Sequence, residues 1–333
     1  MKKYFIIALM MSGTLSFNAY TYSGGCCEDC VCTWDATTQT LSVTPKPENY
    51  FDGRYLNSSD ATALGDLSGV SLSIEGFDGV GDSAFGSSQI SALKIGDNME
   101  IEANAFANTT ITNLEVGNDV TLRLDAFISS SYLQNIIIGD NSYVEHAFEC
   151  CDAVQNITVG DNAYLDEGAF NDSGISMQKV IIGEGGYIGK RAFLNPVSIW
   201  ISGDTELDNN FIELDETNIY TYSKDEDGFY YDVDSDEVFL SVQDMVNGDT
   251  CGDLQACQAT LLSNKGLCAY SDCYDFLGNY EDGDQIKMNG KMYASLSDLF
   301  AGNALEREIK RIYTIDEANA AAGKTNRVSI RYR

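Results

Sequence analysis

Ala-Phe pairs end at Phe85, Phe106, Phe127, Phe148, Phe170 and Phe193, at steps of 21, 21, 21, 22 and 23 residues. A period this short and regular asks for one small structural unit per period, stacked on its neighbours. A second landmark keeps pace. A β-branched residue then glycine stands at Ile95-Gly96, Val116-Gly117, Ile138-Gly139, Val159-Gly160 and Ile182-Gly183. Asp97, Asn118, Asp140, Asp161 and Glu184 follow those glycines.

The apolar spacing upstream of each glycine also repeats. The sets are Ile90, Leu93, Ile95; Ile111, Leu114, Val116; Leu133, Ile136, Ile138; Val154, Ile157, Val159; and Met177, Val180, Ile182. The last two positions of each set lie two apart, as on a strand with one buried face. Five residues before each Phe from Phe106 onward stands another bulky residue: Ile101, Leu122, Tyr143, Leu165 or Ile188. Each unit is therefore predicted to be a short strand, a Gly-Asp turn and a return segment facing one core. Leu72 and Ile74 before, and Ile199, Ile201 and Phe211 after, read as degenerate flanking units, as the ends of a stacked array require. One such unit cannot bury enough apolar surface to offset the entropy of ordering itself. The units must stack, and stacking pairs their strands into a parallel sheet.

The pattern I-x-x-L-x-I-G followed by I-x-x-x-A-F resembles the BspA-like leucine-rich repeat family of secreted and cell-surface proteins. The resemblance covers about residues 66–212. Cys32-Thr33-Trp34-Asp35 and residues 37–43 resemble the hairpin that often precedes such repeats. The resemblance implies a β-rich solenoid with a short parallel sheet, an N-terminal hairpin cap and no shared chemistry. It also implies surface display and binding of proteins or host matrix. This chain places Gly-Asp or Gly-Asn where the family often has proline after the strand.

The expected organisation is a signal peptide over residues 1–23, a Cys-rich cap over 24–65 and repeats over 66–212. An acidic, Cys-containing region follows over 213–284, then a basic α+β tail over 285–333. Lys2 and Lys3 precede an apolar stretch at 4–17, long enough for an export leader and too short to span a bilayer. Cleavage is expected after Ser23, with Ala19 the alternative, and a lipid anchor at Cys26 is a lesser one. No later segment is apolar enough to cross a membrane.

Net charge is −31, and its distribution is uneven. Residues 24–304 hold 11 basic and 47 acidic residues, whereas residues 305–333 hold 7 and 4. So acidic a body disfavours nucleic acid as a partner. His146 is the single histidine, which disfavours His-based catalysis and metal sites. It stands before Ala-Phe, a place read as a solvent-facing turn. No catalysis and no cofactor are expected. A hydrolase with a carboxylate pair in residues 213–333 is the rival reading, and a self-associating structural protein is another.

In a leucine-rich repeat sheet, residues between the buried positions face solvent on the concave side. That column reads Ser73, Lys94, Glu115, Ile137, Thr158, Ile181 and Trp200. Beside it run Asn113, Asn135, Asn156 and Lys179, then Thr112, Gln134, Gln155 and Gln178. Ile137, Thr158, Ile181, Trp200, Gln134, Gln155, Gln178 and Lys179 are the candidate partner-binding residues: an apolar stripe framed by amides. The competing readings have the C-terminal module packing over Ile181 and Trp200, or take the column as strand propensity alone.

Asp97, Asp140, Asp161, Glu184 and Asp204 recur after the strands and offer oxygen ligands for calcium. The preferred reading is a Gly-Asp turn whose Asp bonds its own backbone, so no metal is assigned. Asp232, Asp234 and Asp236 imitate a calcium loop but lack its later ligands, and residues 229–240 read as a hairpin. Ten cysteines form three groups: Cys26, Cys27, Cys30, Cys32; Cys150, Cys151; and Cys251, Cys257, Cys268, Cys273. With export, all ten are disulfide candidates, and adjacent Cys150 and Cys151 are expected to pair elsewhere or between chains rather than with each other. In the tail, Asn289-Gly290 marks a hairpin turn and residues 297–300 begin a helix. A capping box at Thr314, a helix over 315–322 and a strand over 327–332 complete the expected tail.

Overall fold

The computed structural model describes residues 20–22, 26–27, 30–46, 54–170, 173, 177–193, 196–212, 217–233, 235, 237–280 and 285–305. The expectations for residues 1–19 and 306–333 lie outside them. The chain divides into two compact units. One runs to Asp225 and resumes over Tyr230–Thr250, and the other takes Glu226–Phe229 and the chain from Cys251.

The first unit begins with β1 (Tyr20–Tyr22), β2 (Cys30–Asp35), β3 (Thr40–Pro45), β4 (Tyr55–Leu56) and helix α1 (Ser58–Leu64). β1 pairs antiparallel with β2, which forms the expected hairpin with β3. The coils then alternate long and short strands. These are β5 (Ser71–Ile74), β6 (Gly79–Val80), β7 (Ala92–Ile95), β8 (Glu100–Ile101), β9 (Asn113–Val116) and β10 (Thr121–Leu122). They continue as β11 (Asn135–Ile138), β12 (Tyr143–Val144), β13 (Asn156–Val159), β14 (Tyr164–Leu165), β15 (Lys179–Ile182) and β16 (Tyr187–Ile188). Then come β17 (Ser198–Ser202), β18 (Glu206–Leu207), β19 (Asn218–Lys224), β20 (Tyr230–Asp232), β21 (Val238–Phe239) and helix α2 (Val242–Asn247).

Among the described residues, the odd-numbered strands from β3 to β19 form a parallel ladder within a 13-stranded sheet. The even-numbered strands from β4 to β18 form a second sheet of 8. The two sheets wrap one core, so this unit is a β-solenoid. The ladder extends past residue 212 into β19, and β20 and β21 turn back antiparallel, which places the predicted hairpin.

Every apolar set predicted from the spacing is buried, from Ile90 to Ile182. The six phenylalanines stack in one spine with ring centroids 4.8 to 5.4 Å apart and planes within 11° of parallel. At the first end, Cys27, Cys30, Cys32 and Val43 are buried in the same cluster, and the pairs are Cys26–Cys32 and Cys27–Cys30.

Tyr143 is a correction. Its register partner is Thr121, and Val144 stands opposite core residue Leu122. Gly139 to Phe148 spans nine residues, whereas the other coils span ten. Counting back from Phe148 therefore lands one place too early. The short turn also moves His146. Asn104, Asp125, Gly168 and Arg191 take left-handed φ at its position, and His146 is not among the residues that do. It is half-buried rather than solvent-facing, and its Nε2 is buried without a hydrogen bond, as is Asp125 Oδ1.

The cysteine expectation also needs one correction. Cys151 is a buried thiol that donates to the Phe127 carbonyl at 3.3 Å, so it bridges neither Cys150 nor any other cysteine. Burial pushes this thiol up to about 12.

The second unit contains α3 (Leu254–Asn264), α4 (Tyr270–Gly278), a hairpin of β22 (Ile286–Met288) and β23 (Lys291–Tyr293), and α5 (Leu296–Ala301). Asn289 and Gly290 turn that hairpin with φ of 49° and 76°, as a two-residue primed turn requires. The pairs Cys251–Cys257 and Cys268–Cys273 bracket its first two helices.

Phe127 has neighbours on both ring faces, so Phe127→Ala should cost about 3–5 kcal/mol in urea unfolding. Cys151 should resist iodoacetamide in the folded protein at pH 8 and react once unfolded, because only the thiolate is nucleophilic. Labelling of the folded protein at Cys151, read by peptide mass, would contradict this placement.

Candidate functional site

The solvent face of the long sheet is built by strand register. The column runs Ser73, Lys94, Glu115, Ile137, Thr158, Ile181, Trp200 and Tyr220. Lys94 and Glu115 form an exposed ion pair at 2.6 Å, and mutual hydrogen bonding raises the lysine further above its ordinary value. Ile137 is 50% exposed, with Thr158 exposed beside it. Ser73 is buried rather than solvent-facing, and its hydroxyl donates to Glu75 at 3.1 Å.

Ile181 is the main correction on this face. It is 6% exposed, so it presents no anchor to a partner. Its neighbour Trp200 packs against a small cluster of Tyr222, Phe239 and Met245, joined by Tyr230 and Val242. The Tyr222 hydroxyl donates to the Ile182 carbonyl, and burial raises that phenol, which keeps it a donor. Lys224 pairs with Glu184 at 2.8 Å. Residues of β19, β20, β21 and α2 thus pack against Trp200 at the late end of the column. Strand alternation assigns a face but says nothing of what lies over it.

Trp200 stacks on Tyr220, with centroids 4.9 Å apart, and Tyr220 is 39% exposed. Sequence reasoning missed Tyr220, although it continues the column by its spacing from Trp200.

The second column is a ladder of amides. Asn135 Nδ2 donates to Asn113 Oδ1 at 2.8 Å, and Asn156 Nδ2 donates to Asn135 Oδ1 at 2.8 Å. The central rung, Asn135, keeps a second amide hydrogen and a second lone pair for other partners. Gln134, Gln155 and Gln178 are exposed beside this ladder, and Lys179 is half-buried at its end. The structure therefore brings Ile137, Thr158, Gln134 and Gln155 together as an open patch with an ordered polar border.

The acids after the strands behave differently from the turn reading. Asp97 Oδ1 accepts the Asn118 main-chain N–H of the next coil, at 2.8 Å. Asn118 takes Asp140 N–H, Asp140 takes Asp161 N–H and Asp161 takes Glu184 N–H, each at 2.8 Å. These side chains bond between coils, not within their own turn. Asp204 accepts from Gly185 N–H at 3.0 Å and from Ser202, which holds its carboxyl below the usual range.

The glycines make this ladder possible. A Cβ on Gly117, Gly139, Gly160 or Gly183 would lie 2.3–2.5 Å from the Asx Oδ1 of the preceding coil. Main-chain atoms of that coil are almost as close. Among the described residues, one group of acids or cysteines comes close enough for a metal, Cys27, Cys30 and Asp60, and those cysteines pair with each other. Asp97, Asp140 and Asp161 are not in it.

A second repeating feature lies on the short-strand sheet. Tyr143, Tyr164 and Tyr187 stack with centroids 5.2 and 4.6 Å apart. Tyr143 donates to Asp166 at 2.7 Å, and that bond pushes its phenol up to about 12. In the second unit, Asp272 and Asp275 line an open hollow of about 520 Å³ with Phe276 and Lys287. Both carboxyls are exposed, whereas a general acid needs a sheltered one.

Residues 67–199 match the family model of the BspA type leucine rich repeat region, in six copies. No curated protein and no solved structure matches the chain significantly. The match ends before Trp200, so Tyr222, Phe239 and Met245, which pack against Trp200, lie outside the matched residues.

Gly139→Ala should lower stability by about 1–3 kcal/mol, the usual cost of forcing atoms into a filled space. Gly203→Ala should be nearly neutral, because its nearest contact would be 3.6 Å. Equal urea midpoints for the two variants would contradict the close approach.

Proposed function

We propose that these BspA-type leucine-rich repeats belong to an exported, surface-displayed protein that binds other proteins or matrix macromolecules. The solvent face of the long sheet is the binding surface. The observation that carries this reading is Ile137, half exposed at the centre of a patch whose border is held by the Asn113–Asn135–Asn156 ladder. An apolar centre with a polar rim is the usual anatomy of a protein interface. The amide rungs are already fixed by one another, so little side-chain entropy is lost when a partner bonds to them.

Thr158, Gln134, Gln155, Gln178 and Lys179 frame Ile137 in this proposal, and Tyr220 extends it. Export rests on the leader-like residues 1–23 and suits a chain with four cysteine pairs, which persist in oxidising compartments. Cleavage after Ala19 keeps β1 in the mature sheet, whereas cleavage after Ser23 removes it.

The test uses the oxidised protein as bait against a preparation of surface and matrix proteins, with bound proteins identified by mass spectrometry. Ile137→Asp should abolish capture and leave the thermal midpoint within about 2 °C, as surface substitutions do. Capture by Ile137→Asp at the native level would place binding elsewhere. Ile181→Ser, by contrast, should lower the midpoint, since it removes a buried side chain worth roughly 1.5–3 kcal/mol.

A further inference from the structure

The outer face of the short-strand sheet carries a tyrosine stack that the binding reading leaves unused. Tyr143, Tyr164 and Tyr187 hold one register position on β12, β14 and β16. Their ring centroids lie 5.2 and 4.6 Å apart, with planes 15° and 24° from parallel. Tyr164 and Tyr187 are the closer pair. The backbone clamps this pair on both sides. Tyr187 N–H bonds to the Ala163 carbonyl and Gly189 N–H to the Leu165 carbonyl, at 3.0 and 2.7 Å. Tyr270 and Tyr274 offer an internal comparison: they lie one helical turn apart on α4, with centroids 6.0 Å apart and planes tilted by 34°.

The three phenols differ in their partners. Tyr143 donates to Asp166 at 2.7 Å, and Tyr187 donates to Asp208 at 3.2 Å. In each case the acceptor is a carboxylate of the next coil. By register, the place that would serve Tyr164 belongs to Gly189, so no such carboxylate takes its hydroxyl. Tyr164 is also the most exposed of the three, at 40%, whereas Tyr143 and Tyr187 are half-buried. Desolvation and the Asp208 charge raise the Tyr187 phenol above its ordinary value, so it is neutral at pH 7. A neutral phenol gives up an electron readily when its proton has an acceptor, and Asp208 is already in place.

We propose that Tyr164 and Tyr187 are an oxidative modification site, where hydrogen peroxide and a haem peroxidase join the two rings into a dityrosine within one chain. Exposed Tyr164 is oxidised first, losing an electron to the peroxidase and its hydroxyl proton to water. It then takes an electron from Tyr187 and a proton from water, while the Tyr187 proton moves to Asp208. A second oxidation at Tyr164 leaves two phenoxyl radicals side by side. A bond forms between one ring carbon of each residue, adjacent to the carbon that bears oxygen. The hydrogens on the joined carbons move through water to the oxygens, which restores both phenols. The two electrons and two protons given up reduce one hydrogen peroxide to two waters, so the chain loses two hydrogen atoms. The stack supplies the proximity: two radicals held in contact couple before either meets a second chain. The bond ties β14 to β16 on the short-strand sheet and leaves Ile137, on the long sheet, open.

The test treats the full chain, disulfides intact, with a purified plant haem peroxidase and equimolar hydrogen peroxide at neutral pH. Blue dityrosine fluorescence should appear. Peptide mass should find Tyr164 joined to Tyr187, two hydrogens lighter than the separate peptides, in a yield that does not depend on protein concentration. Tyr187→Phe keeps the stacked ring, so it should hold the native thermal midpoint and lose the Tyr164–Tyr187 product. Asp208→Asn removes the proton acceptor and should slow that product at least about tenfold. The proposal is overturned by the absence of dityrosine, or by dityrosine confined to Tyr270–Tyr274 or to links between chains. A rate unchanged by Asp208→Asn overturns it as well.

Discussion

The close approach of each glycine to the preceding coil sets the geometry of the solenoid. Without a side chain at Gly117, Gly139, Gly160 or Gly183, the Asx oxygen of one coil reaches the main-chain N–H of the next. These N–H groups sit past the strand ends, where the ladder of the sheet no longer serves them and the Asx side chains do. The same contact fixes the axial rise. It therefore holds the six phenylalanines at stacking distance and keeps the long strands in register.

The binding face follows from that register. Once each coil repeats in place, chemically similar residues at one sequence position form a column. Amides at 113, 135 and 156 become a bonded ladder rather than three separate side chains. Ile137 then stands exposed on a rigid surface, which costs stability unless something covers it. The same logic runs to the later coils, where Leu207 and Ile219 are exposed although they stand in register with buried Ile188 and Ile199.

Much of this was legible in the sequence, because a period near 21 residues states the stacking directly. The buried sets, the hairpin before the repeats and the hairpin at 230–239 needed no more than alternation and turn residues. Tyr143 was placed in the core because the coil before Phe148 is one residue short, and counting from one landmark carries the error along. Its spacing to Tyr164 and Tyr187 held the signal of an outer aromatic column. Ile181 was placed on the open face because strand alternation assigns only its side, and the cluster of Tyr222, Phe239 and Met245 that packs against its neighbour Trp200 lies beyond the repeats and follows no period. The aligned acids read as ordinary turns, since nothing in one coil shows that its Asx side chain bonds to the next.

Amide hydrogen exchange tests the coil-to-coil register most directly. The Asp140 N–H lies on an exposed turn and is held by the Asn118 side chain of the coil before it. Asn118→Ala should speed exchange at Asp140 by at least about tenfold, while amides within the turn at 118–120 keep their native rates. Unchanged exchange at Asp140, with faster exchange confined to the turn of Asn118 itself, would contradict the account.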